Sequence, residues 1–116
     1  MAAESLIEES LQAHLTRNEE LVKLFVEHGG DLDDTRPVDF FFYADSQESA
    51  EALANDLQPF LDEVAVMPEA DDAGKWAVQG VKQTSVNAVT EPGFVEKLVR
   101  AAAHQLAEFD GWGAPV

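Results

Sequence analysis

The side chains that could do chemistry here are mostly carboxylates, with three histidines, two tryptophans and no cysteine. The missing thiol rules out a disulfide scaffold, a cysteine nucleophile and thiolate metal sites. His14, His28 and His104 stand far apart in the chain. None makes an i,i+4 ligand pair with another histidine, and none adjoins a serine with an orienting acid. Their pattern points to structural placement rather than to a metal or a general base. Acids pair at Asp33-Asp34, Asp62-Glu63 and Asp71-Asp72. A calcium loop needs alternating acids, a central glycine and a late glutamate, and the run from Asp31 to Pro37 lacks that order. These pairs read as solvated turns. Gly111-Trp112-Gly113 is too short for a phosphate-cradling loop. No acid, base and nucleophile converge, so the sequence argues against an enzyme and calls for no cofactor and no metal.

Charge carries more information. Seven basic residues stand against 23 acidic ones, a net charge of −16. Residues 38–73 hold ten acids and neither lysine nor arginine, whereas residues 74–116 are neutral, with four of each sign. Phosphate backbones and anionic membranes are repelled by such a chain, which argues against direct nucleic-acid or membrane binding. A basic protein partner is what it attracts.

Asp110-Gly111-Trp112-Gly113 is the most unusual run. Its architectural reading puts a glycine at a left-handed position, packs the tryptophan on the sheet or the first helix, and has the acid cap a turn. Its functional reading makes Trp112 an aromatic anchor for a partner. The sequence favours the first.

The elements that must position these residues follow from periodicity. Leu6, Ile7, Leu11, His14, Leu15, Asn18, Leu21, Val22 and Phe25 recur at threes and fours, predicting one helix from Ala3 to Glu27. Gly29-Gly30 can end it. Val38–Tyr43 reads as a strand apolar on both faces, hence central and covered on both. Ser46 caps a helix over Gln47–Leu57, which Pro59 stops. Leu61–Met67 and Lys75–Val86 form an antiparallel hairpin. Thr90 is expected to cap a last helix with Pro92 in its first turn, and Phe109–Val116 to supply a closing strand. The order after the first helix is β-α-β-β-α-β, a ferredoxin-like α/β (α+β) sandwich with a four-stranded antiparallel sheet. The expectation is one domain over 1–116, with an N-terminal helix over 1–30 and the core over 37–116. The second sheet face, bearing Phe41, Tyr43, Ala65 and Met67, needs a cover: the N-terminal helix, a second copy of the chain, or a partner protein.

Four features then coincide in order. They are the helix with Asn18 that ends in Gly29-Gly30-Asp31, the strand Arg36–Tyr43, Trp76-Ala-Val with Lys82-Gln-Thr, and the closing Glu108–Gly113. Together they resemble the RraB-like family, regulators of ribonuclease activity B, over nearly the whole chain. Phe109 departs from it, since the family carries tyrosine there. The resemblance implies a ferredoxin-like sandwich and a cytoplasmic, non-enzymatic inhibitor that binds the scaffold part of a ribonuclease E-type endonuclease and alters RNA turnover. The N-terminus also lacks the basic start of a secretory signal. On this reading the acid-dense stretch competes with RNA for basic segments of the enzyme. The contact candidates are Asp39, Glu48, Glu51, Asp62 and Glu63, with Asp110 and Trp112 from the closing motif. The alternative is a generic interaction or homodimerisation module, unrelated to RNA decay, that uses the second sheet face.

Overall fold

The computed structural model describes residues 2–114, with side chains from Ser5 onward. Helix α1 runs unbroken over Ala2–Glu27. Its apolar stripe continues through Thr16, so the capping box that Thr16 and Glu19 spell in the sequence does not start a new helix. It ends where Gly29 turns left-handed (φ 88°) and the Gly30 N–H donates to the Phe25 carbonyl at 2.9 Å. A Cβ at Gly30 would stand 2.3 Å from the Phe25 ring, so only glycine fits beneath it.

Strand β1 spans Arg36–Ala44, helix α2 Gln47–Leu57, strand β2 Glu63–Val66 and strand β3 Trp76–Thr84. A short helix α3 (Val86–Val89), helix α4 (Pro92–His104) and strand β4 (Ala107–Gly113) complete the chain. The sheet order is β2-β3-β1-β4 with every neighbour antiparallel. With α1 and α3 set aside this is the ferredoxin-like βαββαβ sandwich. Ser46 caps α2 as expected, accepting from the Ser49 N–H. Asp71 folds the β2–β3 hairpin by accepting from the N–H groups of Ala73 and Lys75 at 2.9 and 2.8 Å.

Four expectations change. Strand β2 is shorter than expected, Glu63–Val66 in place of Leu61–Met67. Thr90 does not cap α4. Its hydroxyl turns back to donate to the Val86 carbonyl at 2.8 Å, closing α3, and Glu91 takes the cap position with Pro92 following. Strand β3 stops at Thr84, because Ser85 caps α3 instead. That short helix ties down the preceding loop, as Asn87 donates to the Asp33 carboxylate at 2.6 Å. The closing strand begins two residues early, at Ala107. Pro115 and Val116, expected in that strand, lie outside the described residues.

The core lies between one sheet face and the helices. Val38, Phe40, Phe42 and Ala44 of β1 point into it and are buried, as are Leu53 and Leu57 of α2 and Leu98 and Val99 of α4. Ile7, Leu11 and Leu15 bring α1 onto the same core beside α4. The N-terminal helix therefore extends the helical layer and does not cover the second face of the sheet. The burial of β1 alternates accordingly, buried on one side and half-buried on the other.

Candidate protein-binding surface

Residues His14, Arg17 and Asn18 sit three and four apart, hence on one face of α1. All three reach β4, an outer strand of the sheet. The His14 Nε2 lies 2.9 Å from the Phe109 carbonyl, and a carbonyl can only accept, so this nitrogen carries the proton. The imidazole also lies against the Phe109 ring, 4.6 Å between centroids. Burial lowers the His14 pKa from its ordinary value, against the raising effect of the Phe109 hydrogen bond; the nearby Arg17 charge lowers it further and Asp110 raises it. Arg17 donates to the Asp110 carbonyl at 2.8 Å. Trp112 Nε1 donates to Oδ1 of Asn18 at 2.8 Å. Asn18 is only 5% exposed, and its Nδ2 is a buried donor without a partner among the described residues.

The pairing of β1 with β4 explains the Asp-Gly-Trp-Gly run. Phe41 pairs with Gly111 and Phe42 with Phe109, so Asp110 is an extra residue, a β-bulge. Gly111 takes φ 145° there. A Cβ on it would come within 3.3 Å of the Arg17 guanidinium. Trp112 is half-buried and packs on the core. Trp112 thus packs on the core and the first helix, as in the architectural reading, while Asp110 lies at a bulge and not in a capped turn. The signal for its partners was the presence of His14 and Asn18 on the apolar stripe of α1.

The contact candidates do not share one surface. Asp39 is half-buried on the second face of the sheet and Glu63 is exposed on the same face. They flank Val81, which pairs with both. Glu48 and Glu51 are exposed on α2, in the helical layer. Asp62 is exposed just before β2 and accepts from the Gln83 N–H at 2.7 Å. Asp110 is exposed at the bulge, and Trp112 is turned toward α1.

The second face is a shallow apolar surface. Its rows run Gly113–Asp39–Val81–Glu63, then Gly111–Phe41–Gln79–Ala65, then Glu108–Tyr43–Ala77. Met67 continues the last row, its N–H donating to the Ala77 carbonyl at 2.9 Å. Phe41, Tyr43, Ala77 and Val81 are half-buried by their strand neighbours alone, and no described helix packs over them. A groove of about 330 Å³ lies between β2 and β3, lined by Glu63, Ala65, Gln79 and Val81. Cations near this face are engaged: Lys75 pairs with Asp45, which with that hydrogen bond raises the lysine pKa, and Arg17 holds the bulge.

Nothing in this arrangement sets an acid and a base around a reacting atom. Among the described residues no group of three or more histidines and acids is placed to hold a metal ion. Among the described residues no helix is long and apolar enough to cross a membrane. The sequence profile of RraB, regulator of ribonuclease activity B, matches residues 15–114. The chain belongs to the RraB family. The match takes in the whole sandwich, including Arg17, Asn18 and the Asp110–Gly113 bulge. RraB is a family of regulators and not of catalysts, and its name implies a ribonuclease as the protein partner. No curated protein matches the chain.

Proposed function

We propose that this RraB-family chain restrains RNA turnover in the cytoplasm by binding an endonuclease of ribonuclease E type. It binds the basic scaffold part of that enzyme rather than RNA itself. The observation that carries this reading is the segment 38–73. It takes in most of β1, all of α2 and β2 and the loops beside them, and holds ten carboxylates and no cation of its own. So acidic a segment attracts the basic segments with which the enzyme holds RNA, and competes for them. The attraction acts between solvent-exposed groups, so it weakens as the Debye length shrinks with salt.

Titrating the purified full chain with the scaffold region of the host's ribonuclease E, at low and at high salt, tests the reading. Tight binding that falls steeply with salt supports it; no binding at low salt refutes it. A second reading, an interaction module with a partner outside RNA decay, is supported by the uncovered apolar sheet face. Capture of a single unrelated protein through that face would favour it.

A further inference from the structure

We propose that the docking surface is the second face of the sheet, and that its occupant is a segment of an unlike protein presenting arginines or lysines around an apolar side chain. This deepens the function proposed above and rests on it for the identity of the partner. The acids of the chain fall on both layers, so composition alone does not choose between sheet face and helices. The structure separates the two. Glu48 and Glu51 project from a helix whose apolar side is already spent on the core. Asp39, Glu63 and Glu108 instead surround Phe41, Tyr43 and Val81, apolar groups that no described element covers. Of these two groups of acids, the second is the one set beside uncovered apolar contact area.

Three occupants are conceivable for an uncovered sheet face, and chemistry selects among them. A second copy would set Asp39, Glu63 and Glu108 against their own equivalents on a chain that already carries a net charge of −16. Like charges opposed across an interface repel and disfavour that pairing. Lys75, beside the face, is already paired with the Asp45 carboxylate, which leaves the single charge of Arg17 at the bulge against three carboxylates on each copy. RNA is excluded by the same carboxylates. A cationic segment suits both features. Its guanidinium groups meet Asp39 and Glu63 and lie on the rings of Phe41 and Tyr43, where aromatic faces attract cations. Its apolar side chain enters the groove beside Val81 and Ala65.

The test measures binding of the full chain to two probes: the ribonuclease E scaffold region, and a synthetic peptide of alternating arginine and tryptophan. The variants are Asp39→Asn/Glu63→Gln/Glu108→Gln, Phe41→Ser, and Glu48→Gln/Glu51→Gln on the helical layer. The carboxamide variants keep side-chain shape, and thermal melts confirm that each protein is folded. The triple variant is expected to lose about ten-fold or more in affinity at low salt, and the helical-layer pair less than about two-fold. Phe41→Ser is expected to weaken binding at low and high salt alike, because its contact is apolar. If the helical-layer pair loses more than the folded triple variant, the sheet face is not the dock. If the wild-type chain sediments as a dimer that Phe41→Ser dissolves, a second copy covers the face and the proposal fails. If the scaffold is ignored but the peptide binds and the triple variant releases it, the proposed partner is wrong and the surface stands. If neither probe binds, both readings fall.

Discussion

Trp112 and Asn18, 94 positions apart, are joined by a 2.8 Å hydrogen bond from the indole nitrogen to the amide oxygen. It fastens the last strand to the first helix, and it is made by a polar residue buried within a largely apolar stripe. Breaking it from either side leaves a polar atom without its partner. Trp112→Phe and Asn18→Ala should each destabilise the fold by about 1–3 kcal/mol. The double variant should cost less than the sum, with a coupling of about 1 kcal/mol. Urea unfolding of the four proteins measures this; strict additivity would show that the bond contributes nothing.

Gly111 is the second hinge of the same motif. Its φ of 145° suits glycine, and Arg17 occupies the space beside it. Gly111→Ala should lower stability by about 1–3 kcal/mol through backbone strain. Gly113→Ala is the control, since a Cβ there meets only Phe41 at an ordinary 3.9 Å. It should cost no more than about 0.5 kcal/mol in the same denaturation assay.

Leu106 offers the opposite prediction. It follows α4 with φ 56° and is 81% exposed, so it has left-handed strain and little burial to offset it. Glycine is the usual residue where a helix ends this way. Leu106→Gly should raise stability by about 0.5–1 kcal/mol. A fall in melting temperature would mean that the leucine packs in solution more than its exposure indicates.

The pH response of His14 has a definite sign. Its folded-state pKa lies below the ordinary value of 6.5, chiefly because burial penalises the imidazolium. Above 6.5 both folded and unfolded chains are neutral there, and the group has no effect. As pH falls below 6.5 the unfolded chain takes up the proton first, so stability drops until the folded-state pKa is passed. His14→Gln keeps a donor for the Phe109 carbonyl but cannot titrate. Its stability should therefore depend less on pH in that window than that of the wild type, as chemical denaturation at a series of pH values would show.

Much of this was legible in the residues. The stripe from Leu6 to Phe25 fixes α1 because nothing within it breaks the 3.6 period. The alternation of Val38, Phe40 and Phe42 fixes which face of β1 is buried, and Ser46 marks the start of α2. The bulge was not legible. An Asp-Gly pair admits several conformations, and the choice is made by β1 and Arg17, which are distant in sequence. Thr90 misled for a similar reason. A threonine before Glu-Pro looks like a cap, but its hydroxyl serves the carbonyl behind it because Val86–Val89 coils, and four residues leave no period to read. The uncovered face was visible as apolar residues on both sides of β1. What covers it depends on where α1 travels, which no local pattern encodes.

The bonds from His14 and Arg17 to the carbonyls of Phe109 and Asp110 have one more consequence. An outermost strand is a template on which another chain can polymerise, and proteins that stay in solution must blunt it. Here one margin of the sheet is blunted by side chains of α1 and by a bulge, and the other by brevity, since β2 is four residues long and carries Glu63. Strand-by-strand growth is thereby discouraged at both margins, and visitors are left to recognise the sheet by its face. Removing His14 and Arg17 together would unmask the longer margin and turn this acidic protein toward fibrous assembly.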